Sequence, residues 1–181
     1  MQVHLPLSCG EAAGLDRAGQ GIGGIGKTTF ATMLAKQVRH AFAAVFWRTL
    51  RNAPSVENIL KSYFASDERQ TDWPKDLDEQ ITSFITSLRQ QRHLLVLDNV
   101  ESVLQSGQRP GQHLVGYEGY GQLFQRIGET EHHSCLLLTS REKPKEVARL
   151  EGTTAPVRSF SLSGVTQADG QKGYPQDVGS L

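Results

Sequence analysis

The sequence has few cysteines, no excess of either charge and no long apolar run. Cys9 and Cys135 are too few and too far apart for a disulfide framework. The 19 basic and 19 acidic residues cancel, so composition gives no electrostatic reason to expect nucleic acid or an anionic membrane as a partner. No apolar run approaches membrane-spanning length. We therefore expect a cytoplasmic protein whose 181 residues form mainly one domain with a sizeable core.

A glycine-rich segment carries the most specific motif in the chain. It reads Gly21, Ile22, Gly23, Gly24, Ile25, Gly26, Lys27, Thr28, and Thr29 extends it. The pattern fits G-x-x-x-x-G-K-[ST], whose glycines let backbone N–H groups surround a polyphosphate. Lys27 is expected to contact the β- and γ-phosphates and Thr28 to offer its hydroxyl to Mg²⁺. A flexible glycine linker, the alternative interpretation, would need neither side chain at these offsets.

Apolar periodicity predicts an α/β fold. Helices are predicted from Lys27 to about His40, from Ser55 as N-cap to Phe64, over Leu77 to Leu88, around Leu123 to Ile127, and over Lys143 to Leu150. Strands are predicted at Val45 to Trp47, Leu94 to Leu97, Cys135 to Leu138, and Val157 to Leu162. The Gly-rich segment from Gln105 to Gly121 is predicted to be a long loop. Strands that alternate with helices imply a parallel sheet covered on both faces.

Charged residues follow two of the predicted strands. Asp98 ends an apolar run, where a carboxylate can hold Mg²⁺ through water, although such an acid is often only a turn former. Arg141 follows the next buried strand and can contact a γ-phosphate, unless it is simply a solvated arginine. Asn99 cannot take a proton, so Glu101 is the nearest alternative general base, or else a solvated residue of a first helical turn. The candidate catalytic residues are Lys27, Asp98, Glu101 and Arg141.

The two ends of the chain match this domain poorly. A phosphate loop needs a buried strand directly before its first glycine, but residues 11–20 contain two acids, an arginine, two glycines and no β-branched residue. Val3 to Leu7 is the only apolar segment upstream, and it is interrupted and distant. We expect an atypical segment at 1–20, a phosphate-loop domain at 21–165, and an atypical tail at 166–181. Ends of this kind suggest a truncated or frame-shifted gene copy.

Four motifs in this order resemble the NB-ARC family, signal-transduction ATPases of the STAND class. They are residues 21–29, Leu-Leu-Val-Leu-Asp-Asn-Val-Glu at 94–101, Leu-Leu-Leu-Thr-Ser-Arg-Glu at 136–142, and Leu-Ser-Gly-Val at 162–165. The segments 47–54 and 116–121 are similar to the cyanobacteria-like members, which often carry a WD-repeat propeller.

The resemblance implies a P-loop NTPase fold, a three-layer α/β/α sandwich with a mainly parallel, five-stranded sheet. In the family the phosphate-loop strand lies in the middle of the sheet, and here that strand is poorly matched. The resemblance also implies ATP or ADP with Mg²⁺ as ligands, with Thr28 and Asp98 holding the metal and Arg141 sensing the γ-phosphate. Exchange of ADP for ATP would open the intact protein for assembly with itself or with a protein partner.

Two other functions remain open from the sequence. The missing strand and Asn99 could leave a non-hydrolysing nucleotide-binding or protein-interaction remnant. A phosphoryl-transfer kinase would need an acceptor-binding signature, which the sequence does not show. No Asn-Lys-x-Asp guanine motif is present either, so adenine is the expected base.

Overall fold

The computed structural model describes residues 2–6, 26–65, 73–107, 110–152 and 157–161. The strands are β1 (Gln2–Pro6), β2 (Ala44–Thr49), β3 (His93–Asp98), β4 (Cys135–Ser140) and β5 (Val157–Ser161). The helices are α1 (Lys27–Val38), α2 (Val56–Phe64), α3 (Leu77–Gln90), α4 (Glu118–Glu129) and α5 (Lys145–Leu150), with short 3-10 helices at Arg39–Ala41 and Val100–Val103. No helix in these ranges is long and apolar enough to cross a membrane.

Several sequence predictions fall outside the described residues. The glycines and isoleucines of the phosphate loop, Gly21 to Ile25, are among them, as are residues 7–20 of the atypical N-terminal segment. The fourth resembling motif at 162–165 and the predicted tail at 166–181 also lie outside. The structure describes the end of the motif, from Gly26 onward.

Three neighbouring strands form the parallel part of the sheet. The strand order is β2-β3-β4-β1-β5, and β3 pairs in parallel with β2 on one side and β4 on the other. The apolar runs of β3 and β4 are buried on both faces, which is why their sequences are continuous rather than alternating. The predicted α/β fold is confirmed.

The strand β1 lies between β4 and β5 and runs antiparallel to both neighbours. Val3 is opposite Thr139 of β4 and Phe160 of β5. Its first residue, Gln2, pairs with the last residue of β4, Ser140. The carboxyl end of β1 therefore lies near the amino ends of β3 and β4, away from Asp98. The central strand of the five is β4, and β1 is the fourth in order.

Helices cover the two faces of the sheet and form three layers. On one face, α1 buries Ala31, Leu34 and Ala35 against Leu94, Val96, Cys135 and Leu137 of β3 and β4. On the other face, the alternate strand residues Leu95, Leu97, Leu136 and Leu138 pack in a larger cluster with α2, α3 and α4. Successive strand residues point to opposite faces. Because helices cover both faces, the residues of β3 and β4 that point to either face are apolar.

The predicted long loop from Gln105 to Gly121 is wrong at its end, because α4 begins at Glu118 and continues for 12 residues. The glycines lower the helix propensity of this segment, but tertiary packing requires them. A Cβ at Gly119 would lie 2.6 Å from Val56 Cγ1. Tyr120 is fully buried, and its hydroxyl donates a hydrogen bond to the Pro54 carbonyl at 2.9 Å. Close packing against α2 therefore overrides propensity.

The predicted N-cap of α2 gives a direct stability test. Ser55 Oγ accepts a hydrogen bond from the Asn58 backbone N–H at 3.3 Å. Ser55→Ala should lower the free energy of unfolding by about 1 kcal/mol. Urea unfolding measures this, with Ser83→Ala as the matched control because Ser83 lies inside α3 and bonds only to the carbonyl one turn back. An equal effect of both substitutions would contradict the capping role.

Candidate functional site

The carboxyl ends of β3 and β4 bring together the phosphate-loop helix and a buried carboxylate. Asp98, the last residue of β3, is only 3% exposed. Thr28, in the first turn of α1, donates its hydroxyl to Asp98 Oδ2 at 2.7 Å. The structure thus joins two predicted site residues that are 70 positions apart in the chain.

A second threonine, which the sequence analysis did not assign to the site, holds the other oxygen of this carboxylate. The Thr139 hydroxyl donates to Asp98 Oδ1 and accepts a hydrogen bond from the Asn99 backbone N–H at 3.2 Å. Thr139 is fully buried. It follows the apolar run of β4 just as Asp98 follows that of β3, and that shared position was the signal that could have identified it. Thr139 therefore fixes the orientation of Asp98.

Lys27 and Arg141 share one carboxylate partner, Glu101. Lys27 Nζ lies 2.8 Å from Glu101 Oε1, and Arg141 Nε lies 3.5 Å from the same oxygen. Glu101 reaches this place because Asn99 adopts a left-handed conformation (φ 64°) and turns the chain into the short 3-10 helix Val100–Val103. The Lys27 and Glu101 side chains are 13% and 19% exposed, whereas the Arg141 side chain is 81% exposed.

Hydrogen bonds keep the Glu101 carboxyl group ionised. Burial acts to raise its pKa. Hydrogen bonding and the charge of Lys27, together with the backbone N–H groups of Glu101 and Arg141, lower the pKa by a larger amount, so the net pKa is below the usual value. Glu101 therefore carries a full negative charge at neutral pH. That charge lies where two cations converge, which is the arrangement a bound phosphate would also satisfy.

The start of α1 is suited to an anion. Gly26 is its N-cap and has no side chain to cap the first amides, and the first turn contains no acidic residue. The other four helices each carry an acidic residue in the first turn. Free N–H groups and the helix dipole make an N-terminus attractive to anions. Among the helices of the described structure, α1 is the one with no acidic side chain in its first turn to meet that attraction.

The oxygen atoms around Thr28 and Asp98 fit Mg²⁺. A hydroxyl and a carboxylate are the hard donors that this ion prefers, and it is usually held by one or two carboxylates together with phosphate and water oxygens. Within the described ranges, no group of three histidine, cysteine or acidic side chains could hold a metal without such additional ligands. The donor set therefore suits a metal that arrives with a polyphosphate.

An open depression of about 450 Å³ lies elsewhere, between α1 and the edge strand β2. Its lining includes Ala43, Ala44 and Val45 at the amino end of β2, with Lys36 and Arg39 from the helix side. Ligands of open α/β sheets bind at the carboxyl ends of the strands. The cluster around Asp98, and not this depression, is therefore the candidate functional site.

The fold and this cluster define the class of the protein as a P-loop NTPase. The NB-ARC domain family matches residues 18–107, a range that includes Lys27, Thr28, Asp98 and Glu101. An uncharacterized WD repeat-containing protein of Nostoc sp. (strain PCC 7120) is 44% identical over 162 residues, which cover 84% of this chain and 13% of that protein. The chain belongs to the NB-ARC family, whose domains bind nucleotides.

Proposed function

We propose that the chain is the ATP- and ADP-binding domain of a cytoplasmic signal-transduction ATPase and acts as a nucleotide-dependent switch. The observation that carries this proposal is the 2.7 Å hydrogen bond from Thr28 to the buried Asp98, beside Lys27. In P-loop NTPases a threonine and an aspartate of this kind hold Mg²⁺ and a lysine of this kind contacts the phosphates, which supports the proposal. The chain spans 13% of the WD-repeat relative's length, so assembly with itself or with a protein partner would be a property of the longer architecture.

The proposed switch depends on an exchange of partners at Glu101. In the structure, Lys27 and Arg141 both contact the Glu101 carboxylate. With ATP bound, the backbone of residues 21–29 would surround the phosphates, and Lys27 and Arg141 would turn from Glu101 to phosphate oxygens. With ADP bound, Arg141 would return to Glu101. ATP and ADP would thus differ in which group Arg141 contacts, and Thr28 and Asp98 would hold Mg²⁺ in both states.

Hydrolysis requires a group that accepts a proton from the attacking water. Glu101 is ionised, and release from Lys27 and Arg141 would leave its oxygens free to act as a general base. Positioning and charge neutralisation by Lys27, Arg141 and the metal held at Asp98 would supply the rest of the rate enhancement.

A second candidate function is nucleotide binding without hydrolysis, as in an interaction module. It is favoured by Asn99, whose amide cannot accept a proton, and by the engagement of Glu101 with Lys27. In that case the domain would present a nucleotide-dependent surface to a partner and never turn nucleotide over.

Thermal unfolding with and without Mg²⁺-ADP and Mg²⁺-ATP tests the proposal. Ligand at one hundred times its Kd should add about 2.7 kcal/mol of stability. A transition that rises with nucleotide, together with release of phosphate from ATP, supports the ATPase switch. The same rise with no phosphate release favours the binding-only function. A transition indifferent to both nucleotides would overturn both.

Glu101→Gln separates the two roles of this carboxylate. If Glu101 is the general base, phosphate release should fall by about 10²- to 10⁴-fold. ATP affinity should be equal or higher, because a neutral amide competes less well for Lys27 and Arg141. Single-turnover hydrolysis and equilibrium binding measure the two effects. Glu79→Gln, an exposed residue in the first turn of α3, is the control, and a similar hydrolysis rate in both variants would contradict the general-base role.

A further inference from the structure

The segment that follows Arg141 is held by a loop from the other side of the site. Gly111, in the loop between the short 3-10 helix and α4, has a positive φ of +80°. A Cβ on Gly111 would lie 2.2 Å from the Lys143 carbonyl oxygen, so the two backbones are in direct contact. The Gly111 carbonyl also accepts a hydrogen bond from the Lys145 backbone N–H at 2.9 Å. Only glycine fits both the conformation and the space here.

A buried polar pair reinforces this contact. His113 Nε2 lies 3.0 Å from Glu146 Oε2, and the two side chains are 2% and 7% exposed. Burial acts to raise the pKa of Glu146, but the hydrogen bond with His113 and the smaller effects of the Glu146 backbone N–H and of the His113 and Lys145 charges together lower the net pKa. Gly121 of α4 closes the space, because a Cβ there would lie 2.6 Å from Glu146 Oε1. A buried pair of this kind is costly to break once formed.

The same loop is tied to the segment that carries Glu101. The Leu114 backbone N–H donates to the Val103 carbonyl at 3.0 Å, and Leu104 forms an isolated antiparallel bridge with His113. Val103 ends the short 3-10 helix that contains Glu101. The loop is thus hydrogen-bonded both to the segment that carries Glu101, through Val103, and to the segment after Arg141, through Lys145.

We propose that Gly111, His113 and Glu146 form a latch that positions Arg141 for the γ-phosphate, an inference that rests on the proposed function. The Arg141 side chain is 81% exposed, and its Nε lies 3.5 Å from Glu101 Oε1. The placement of the side chain therefore depends on where its backbone is held. The latch fixes that backbone relative to Glu101.

Gly111→Ala tests the latch, and the same loop offers a matched control. Gly107 also has a positive φ (+91°), but a Cβ there would have nothing within 4 Å. Gly107→Ala therefore introduces the same backbone strain without pushing on Lys143. We expect Gly111→Ala to weaken ATP binding by about ten- to a hundredfold and ADP binding by less than about twofold, because ADP lacks the group that Arg141 contacts. Gly107→Ala should leave the ratio of the two Kd values unchanged.

Amide hydrogen exchange tests the same latch without nucleotide. The Lys145 amide should exchange faster in Gly111→Ala than in the wild-type chain, and at the wild-type rate in Gly107→Ala. Glu146→Gln keeps the shape of the buried pair and should shift the ATP to ADP ratio in the same direction, which covers the case that Gly111→Ala does not fold.

Three different results would overturn the positioning role of the latch, the latch itself and the proposed function, respectively. Equal changes in ATP and ADP affinity in Gly111→Ala and Glu146→Gln would overturn the positioning role. Equal Lys145 exchange in Gly111→Ala and Gly107→Ala would overturn the latch itself. Failure of the wild-type chain to bind either nucleotide would instead overturn the proposed function, and the exchange comparison would still decide whether Gly111 holds the segment after Arg141.

Discussion

Lys27→Ala is expected to abolish nucleotide binding. Lys27 is the only cation of the phosphate-loop motif, and its ammonium lies at the start of α1, 2.8 Å from a carboxylate that a phosphate can replace. Without it, the polyphosphate loses the positive charge that the motif places beside the β- and γ-phosphates, and the remaining contacts must bind it without that charge. The thermal shift of about 2.7 kcal/mol that the wild-type chain should show at one hundred times its Kd is expected to disappear.

The control for this experiment is Lys36→Ala, which removes the same charge from an exposed position of the same helix. Because Lys27→Ala also leaves Glu101 without its closest partner, the chain without nucleotide can itself lose stability. The measured quantity is therefore the shift that each nucleotide produces in each variant, and not the absolute Tm. If Lys27→Ala bound ATP as tightly as the Lys36→Ala control, the phosphate-loop assignment would be wrong.

The parallel part of the sheet and the helices around it could be predicted because their signals are local. The apolar runs before Asp98 and before Thr139 identify two strands buried on both faces, and the structure has them as β3 and β4. Ser55 was predicted as an N-cap and caps α2. Each of these features depends on residues within a few positions of each other, so periodicity and capping rules reach them.

The place and direction of β1 could not be predicted in this way. Nothing in Val3 to Leu7 shows that it would pair antiparallel with β4 and β5, because pairing partners more than a hundred residues away leave no local pattern. The start of α4 was missed for a related reason. Its glycines predict a loop by propensity, and only the close approach of Val56 to Gly119 shows why a helix needs them.

In the candidate site, too, the features with a local sequence signal could be predicted and those that depend on distant contacts could not. The type and order of Lys27, Thr28, Asp98 and Arg141 follow from motif spacing and from the rule that the carboxyl ends of parallel strands converge. The part that the sequence could not supply is the pairing among them. That Glu101 contacts both Lys27 and Arg141 depends on the left-handed turn at Asn99. Asparagine adopts this conformation more often than most residues, but still too rarely for the turn to be predicted from the sequence alone.

Asp98→Asn should remove the contribution of Mg²⁺ to nucleotide affinity. A carboxylate that holds Mg²⁺ through water acts by its charge and by the orientation of its oxygens, and loss of such a partner typically costs ten- to a hundredfold in metal affinity. The substitution keeps the shape of the side chain. The Thr28 and Thr139 hydroxyls can rotate to pair with an amide as they do with the carboxylate, so the fold around the site should persist.

Equilibrium binding of ATP with excess Mg²⁺ and with a chelator measures this effect. The wild-type chain should bind more tightly with the metal, whereas Asp98→Asn should have one affinity in both conditions. Asp76→Asn is the matched control, because Asp76 is the N-cap of α3, a role that asparagine fills equally well. A variant that lost only the metal-dependent part would separate the role of Asp98 in holding Mg²⁺ from its role in joining α1 to β3. If Asp98→Asn kept the full effect of Mg²⁺, the metal would have to be held elsewhere, and the pair formed by Thr28 and Asp98 would be structural.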